Sequence, residues 1–83
     1  MSISVIKAEY INGLVLNITF SDNTQKEVDF KPFLSAKEHA IFKFYRKIKN
    51  FKQFSIENGK LVWGEDWDLI FPTVQLYEGK ISN

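Results

Sequence analysis

Two Asn-Gly pairs, Asn12-Gly13 and Asn58-Gly59, constrain the fold of this chain more than any other feature, because each lies between two apolar runs. Asn-Gly is preferred where both central residues of a tight turn take positive φ. After the first pair the apolar residues alternate and share one face of a strand: Leu14, Leu16, Ile18 and Phe20. The sequence therefore predicts two β-hairpins, the first of them amphipathic.

A third strand extends the first hairpin. Before the first turn, Ile6, Ala8 and Tyr10 share one face, with Lys7 and Glu9 on the other. A polar turn over residues 21–24 then leads into a strand whose alternating face carries Lys26, Val28 and Phe30. These segments predict a three-stranded antiparallel meander, whose apolar face needs a cover.

The middle of the chain has helical periodicity. Ser35 and Glu38 have the spacing of a capping box, which marks a helix start. Apolar residues then recur at helical spacing: Ile41, Phe44, Tyr45, Ile48 and Phe51. This stripe predicts a covering helix of about 12 to 16 residues, and the pattern is also compatible with a break inside it.

The C-terminal third predicts a second hairpin followed by a short helical turn. Apolar residues flank the second Asn-Gly pair, and an acidic stretch over residues 64–68 follows the returning strand. Pro72 suits a first helical position, and Gly79 suits the end of a short helix. We therefore predict a single α+β domain over residues 1–83, built from the meander, the covering helix, the second hairpin and the C-terminal turn.

The predicted core follows from these faces. Its members are the apolar residues that the two periodicities direct inward. They are Leu14, Leu16, Ile18, Phe20, Val28, Phe30, Ile41, Phe44, Tyr45, Ile48, Phe51, Phe54, Ile56, Leu61, Trp63 and Leu76.

Composition narrows the class of protein. The chain has 83 residues, of which 45% are hydrophobic, so it is long enough for one small packed core. It has no Cys, which excludes a disulfide framework and a thiolate metal site. The net charge of +1 lacks the basic excess of many nucleic-acid binders. Without a long apolar run or a signal-peptide layout at the N-terminus, we expect a cytoplasmic protein with no membrane role.

Several segments together resemble the bacterial domain-of-unknown-function family 2442, over about residues 3 to 79. The most telling segment is Phe-Ser-Ile-Glu-Asn-Gly-Lys-Leu-Val-Trp at residues 54–63. The others are Val-Asp-Phe-Lys-Pro at residues 28–32, Phe42, Phe51, Asp68-Leu69, Pro72 and Leu76-Tyr77. The stretch from Asp68 to Tyr77 is longer than the compact Asp-Leu-x-Pro-x-x-Leu-Tyr ending that is commoner in the family.

The resemblance implies a binding role and no chemistry. Some members carry a C-terminal helix-turn-helix domain, which implies transcriptional regulation, and we do not expect that domain here. Other members are short and are often encoded beside another small protein, in an arrangement that resembles toxin–antitoxin pairs. The resemblance thus implies a non-enzymatic protein-binding module, antitoxin-like or accessory to a neighbouring small protein, and offers no catalytic residue to transfer.

The residues themselves make a weak case for catalysis or metal binding. His39 is the only histidine, and no nucleophile accompanies it, so a surface histidine is the preferred interpretation. Glu65, Asp66 and Asp68 could hold Mg²⁺ or Ca²⁺, but they do not match an EF-hand loop. We prefer a solvated loop in which Asp68 caps the next turn. No catalytic residue, cofactor or metal is therefore predicted.

A contact surface for another protein is the favoured hypothesis. Tryptophan is enriched at the centres of protein interfaces, and Trp67 lies in the acidic stretch, whereas Trp63 ends a strand and suits the core. For Trp67 itself, interface and core are equally favoured. The candidate partner-binding residues are Trp67, Glu65, Asp66 and Phe71. The expected partner is a small protein or a second copy of the chain, and exposed sheet edges offer another route to either.

A basic helix face is the alternative. Residues 37–52 contain six basic side chains against Glu38 alone, whereas residues 57–83 contain five acidic ones against two lysines. Lys43, Arg46 and Lys47 could therefore contact nucleic-acid phosphates. We prefer an ordinary solvated helix face, because charged residues normally occupy that side.

Overall fold

The computed structural model describes residues 3–79, which fold into two three-stranded antiparallel sheets and four short helices. The first sheet contains β1 (Val5–Asn12), β2 (Val15–Phe20) and β3 (Gln25–Asp29), in that order. The second sheet contains β4 (Phe54–Glu57), β5 (Lys60–Trp63) and β6 (Leu69–Ile70). The helices are α1 (Lys31–Leu34), α2 (Ala40–Arg46), α3 (Ile48–Phe51) and α4 (Thr73–Glu78).

The first sheet is the predicted meander, and its alternating face is buried. Leu16 pairs with Val28 across β2 and β3, and both side chains are buried. Ile6 was predicted to share a face with Ala8 and Tyr10, and this prediction was wrong: Ile6 is exposed, whereas the other two pack against the core. A register shift between Val5 and Lys7 changes the alternation at this point, so that Val5 is buried instead.

The two Asn-Gly pairs form different turns. At the first, Gly13 has φ 49° but Asn12 stays in β1 and pairs with Val15, so the expected positive φ at both residues is absent. At the second, Asn58 and Gly59 have φ of 53° and 77° and connect Glu57 to Lys60, as that turn type requires. The second hairpin was therefore predicted correctly in its turn as well as its strands.

The tip of the second hairpin joins the two sheets. The Val5 N–H donates a hydrogen bond of 2.8 Å to the carbonyl of Gly59. A Cβ at Gly59 would lie 2.6 Å from the Cβ of Ser4, which is too close for any side chain. The glycine is thus required by the turn and by the close approach of Ser4, the residue before β1.

The predicted covering helix is divided into shorter helices. Ser35 is the C-cap of α1 and caps nothing that follows, while His39 is the N-cap of α2. The helix breaks again at Lys47, whose φ of −76° and ψ of 126° are extended. The capping box was therefore wrong, and the carboxylate of Glu38 instead forms salt bridges with Lys43 and Arg46.

This division changes which apolar residues are buried. Tyr45 and Phe51 are buried as predicted, and Ile41, Phe54 and Ile56 are partly buried against the core. Phe44 and Ile48 were expected in the core, but about half of each side chain is exposed. The break at Lys47 re-orients α3 relative to α2, so one continuous apolar stripe cannot face the sheets.

Trp63 lies at the centre of the core. Its ring is in aromatic contact with five other buried or partly buried rings: Phe30, Tyr45, Phe51, Phe54 and Phe71. The core also contains buried residues that the sequence analysis did not select: Val5, Leu34, Val62, Leu69 and Phe71. Both sheets therefore contribute to a single aromatic-rich core.

The C-terminal helix was predicted nearly in full. α4 begins after Pro72, which takes the N-cap position, and it ends before Gly79 with φ 72°. Leu76 is buried as predicted. None of the helices in residues 3–79 is long and apolar enough to cross a membrane.

Candidate functional site

The candidate site is built around the acidic loop, which we define as residues 64–68, between β5 and β6. The loop is compact, because the Trp67 N–H donates a hydrogen bond of 3.2 Å to the Gly64 carbonyl. Gly64 has φ 87° and Trp67 has φ 54°. Positive φ is uncommon for a residue as large as tryptophan, so the loop holds Trp67 in an unfavourable conformation.

The acidic loop packs on α2 through Gly64. A Cβ at this position would lie 2.6 Å from Oδ2 of Asp68 and 3.0 Å from the hydroxyl oxygen of Tyr45. Both oxygens therefore approach the same point beside the loop backbone. Only glycine leaves room for them there.

The predicted contact residues divide between surface and core. Trp67 is 37% exposed, and Glu65 and Asp66 are exposed beside it. Phe71 is only 2% exposed and packs against the rings of Phe30, Phe33 and Trp63, so its selection as a contact residue was wrong. Burial alternates at the end of the second sheet: Ile70 is exposed, and Phe71, the next residue, faces the core.

The three acidic residues of the loop do not form a recognisable metal site. Within residues 3–79, no group of three or more His, Cys, Asp or Glu residues is arranged to hold a metal ion. Asp68 does not cap α4 either, because Pro72 is the N-cap and no side chain bonds to that helix start. The expected capping role of Asp68 was therefore wrong, and its carboxylate lies toward Tyr45 instead.

The surroundings of Tyr45 alter its acidity. Burial raises the pKa of the Tyr45 phenol above its ordinary value of 10.0, because it disfavours the charged phenolate. The nearby carboxylate of Asp68 raises this pKa further by charge repulsion. Tyr45 is thus a neutral phenol at physiological pH, able to donate or accept a hydrogen bond.

A cavity opens where the acidic loop meets α2. It has a volume of about 270 Å³ and is lined by Ala40, Ile41, Phe44, Tyr45 and Asp68. Sequence reasoning missed this site, since Phe44 and Tyr45 were both assigned to the core. Helical spacing alone could not show that these two residues line a cavity, because the cavity exists only where the acidic loop packs beside α2.

A second depression lies on the far end of the second sheet. It has a volume of about 460 Å³ and is lined by Lys60, Ile70, Phe71, Pro72, Thr73 and Val74. Its polar groups are a lysine and a threonine, and Ile70 and Val74 are exposed on it. This depression is mostly apolar and lacks the paired carboxylate and phenol that the cavity beside Asp68 presents to a ligand.

His39 has a structural environment. Its Nδ1 accepts a hydrogen bond of 3.2 Å from the Ile41 N–H, which satisfies one free amide at the start of α2. Its ring lies 5.5 Å from the ring of Phe42. These contacts give His39 a structural role as the N-cap of α2.

The candidate nucleic-acid-binding residues are partly engaged within the chain. Nζ of Lys43 lies 3.3 Å from Glu38, and the Arg46 guanidinium lies 3.4 Å from the same carboxylate. Arg46 also donates a hydrogen bond of 3.0 Å to the carbonyl of Leu34. Lys47 is exposed at the break between α2 and α3. Arg46 therefore ties α2 to α1, in addition to any surface role.

The fold and site define a small α+β protein in which two antiparallel sheets enclose an aromatic core. The family model described as "Protein of unknown function (DUF2442)" matches residues 5–82, nearly the whole chain. The chain belongs to this family, which confirms the resemblance found in the sequence. Neither a characterised protein nor a solved structure showed significant similarity to it.

Proposed function

We propose that this protein is a non-enzymatic cytoplasmic protein-binding module, antitoxin-like or accessory to a neighbouring small protein, whose contact surface is the acidic loop. The observation that carries this proposal is Trp67, a tryptophan kept 37% exposed at φ 54°. An unfavourable backbone conformation that presents a large aromatic side chain is typical of binding sites. The exposed carboxylates of Glu65 and Asp66 would form the polar rim of such an interface.

The test is native mass spectrometry of the protein captured at natural abundance from its source cells. A stable complex with one small protein is the expected result. A bare monomer would overturn the proposal, and a homodimer would replace the partner by a second copy of this chain.

A matched pair of variants then locates the interface. Trp67→Ala should weaken the complex by at least about 2 kcal/mol, or roughly thirtyfold, because tryptophans at interface centres contribute this much. Ile6→Ala removes another exposed apolar side chain, on β1, and should leave the affinity unchanged. Equal effects of the two substitutions would exclude the acidic loop as the contact surface.

Nucleic-acid binding by Lys43, Arg46 and Lys47 is the alternative, and it draws less support. Two of these three side chains share the carboxylate of Glu38, which offsets part of the positive charge that phosphates would require. Replacing all three by Glu should abolish any salt-dependent affinity for DNA or RNA if this alternative holds. Unchanged binding would remove it.

A further inference from the structure

We propose that the cavity between α2 and the acidic loop receives an arginine side chain of the partner protein. This inference rests on the proposed function, because it assigns the chemistry of the partner at the same surface. Its evidence is the combination of polar groups and rings in the cavity wall, together with the charge around its opening.

The hydroxyl of Tyr45 lacks a hydrogen-bond partner in the part of the chain that the structure describes. Tyr45 is only 4% exposed, and it lines the cavity. Every fully buried side-chain N or O atom in this part of the chain has a hydrogen-bond partner. The hydroxyl oxygen, which has none, is therefore accessible from the cavity and is free to bond to an incoming group.

The carboxylate of Asp68 supplies the charge. It forms no salt bridge within residues 3–79, since the ion pairs described there involve only Glu9 and Glu38. Its Oδ2 and the Tyr45 hydroxyl approach the same point beside Gly64. A planar guanidinium, which carries five N–H donors, can reach both oxygens at once.

The remaining wall of the cavity suits the rest of an arginine side chain. Ala40 and Ile41 offer an apolar surface for its aliphatic stem, and Phe44, which is 51% exposed, adds an aromatic side chain to the cavity wall. A cavity of about 270 Å³ is smaller than most cofactor sites. These features favour one inserted side chain over a cofactor.

Charge complementarity selects a basic partner. Glu65 and Asp66 are exposed on the same loop as Asp68, so the opening of the cavity has an acidic border. This border attracts a basic segment and repels an acidic one. A single carboxylate in the wall is too few ligands for a divalent metal ion, which usually requires several oxygen ligands from the protein.

The first experiment uses N-acetyl-arginine amide as the probe, in a titration of the ¹⁵N-labelled protein followed by NMR. We expect shifts centred on the amides of Tyr45, Gly64 and Asp68. N-acetyl-citrulline amide, which has the same shape without the charge, should bind at least about tenfold more weakly, because charge-assisted hydrogen bonds are the stronger ones. Equal binding of the two probes, or shifts centred elsewhere, would overturn the inference.

Variants distinguish binding of the arginine probe in the cavity from a non-specific attraction to the negative charges of the protein. Asp68→Asn should weaken binding of the arginine probe at least about tenfold, and Tyr45→Phe a few-fold, since each removes one hydrogen-bonding oxygen. Glu27→Gln removes one negative charge from an exposed position on β3, in the other sheet, and should alter binding less than about twofold. An equal loss in Glu27→Gln and Asp68→Asn would overturn the inference.

The inference and the proposed function can fail separately. If the natural complex is lost in Trp67→Ala but unaffected by Asp68→Asn and Tyr45→Phe, the binding role is supported and the arginine site is excluded. If the arginine probe binds at the cavity while the protein is a monomer in cells, the affinity of the cavity for a guanidinium is supported, but the proposed function and the partner's arginine are both excluded.

Discussion

The indole of Trp63 donates a hydrogen bond of 2.7 Å to the carbonyl of Phe51, and the two rings stack with their centroids 5.6 Å apart. This pair joins the end of α3 to the middle sheet strand β5. It also satisfies a carbonyl at the C-terminal end of a short helix, where no intrahelical partner exists. The stack and the hydrogen bond together fix how the helical segment lies against the second sheet.

Trp63→Phe should destabilise the protein by about 2–4 kcal/mol, because it leaves a buried carbonyl without a donor and creates a cavity. Urea denaturation measures this change in the free energy of unfolding. Trp67→Phe is the matched control at an exposed site and should change it by less than about 1 kcal/mol. Comparable losses in the two variants would contradict the central role of Trp63.

Gly59→Ala should destabilise the protein more than Gly13→Ala. Both glycines have positive φ, for which alanine costs about 1–2 kcal/mol. Gly13 has open space around it, whereas a methyl group at Gly59 would lie 2.6 Å from the Cβ of Ser4. Displacing β1 to relieve this contact should add about 1–3 kcal/mol. Thermal unfolding of the two variants should differ accordingly, and equal melting temperatures would contradict the close approach.

The Tyr77 hydroxyl should set part of the acid stability of the protein. It donates a hydrogen bond of 2.7 Å to Oδ2 of Asp22, which lowers the pKa of that carboxyl below its ordinary value of 3.8, with help from the amide of Thr24. A carboxyl whose pKa is lower in the folded state stabilises the fold above pH 3.8 and loses this contribution as the pH falls through the folded-state pKa.

Tyr77→Phe should therefore move the pKa of Asp22 toward 3.8, measured by NMR titration of its carboxyl group. The stability difference between this variant and the wild type should be larger at neutral pH than at pH values below that pKa. Tyr10→Phe removes a hydroxyl that donates to Gly13 instead, and it should leave the Asp22 titration unchanged. A wild-type titration curve in Tyr77→Phe would contradict the prediction.

His39→Ala should destabilise the protein by about 1 kcal/mol, because the first turn of α2 loses its side-chain cap. Asn is a good N-cap residue, so His39→Asn should restore most of this loss. Chemical denaturation of both variants tests the capping role. If His39→Asn were as destabilised as His39→Ala, the tilted contact between the His39 and Phe42 rings would be more important than the cap.

Local patterns predicted the sheets well because their information lies within a few residues. The alternation from Leu14 to Phe20 and the Asn58-Gly59 turn required no knowledge of distant contacts. β6 was missed, since a two-residue strand has too little periodicity to detect and exists only through its pairing with β5. The helical segment was predicted as one helix because its apolar residues recur at regular helical spacing. The break at Lys47 is not visible in that spacing, since it accompanies a tertiary contact, the packing of Phe51 on Trp63.

The candidate site was predicted only in part. Trp67, Glu65 and Asp66 were selected from residue type, and all three are exposed, as a contact surface requires. Phe71 was wrongly included, because an aromatic residue near a loop can face either way. The cavity residues Phe44 and Tyr45 were assigned to the core together, although only Tyr45 is buried.

By itself, the sequence determined the α+β class, the two hairpins, most of the core and the family, because turn chemistry and periodicity act over short distances. Only the tertiary structure decided where the helical segment breaks, which aromatic residues are exposed, and that Asp68 lies beside Tyr45. These features depend on residues far apart in the chain packing around Trp63. A local pattern contains no information about such contacts, so the candidate site emerged only from the folded arrangement.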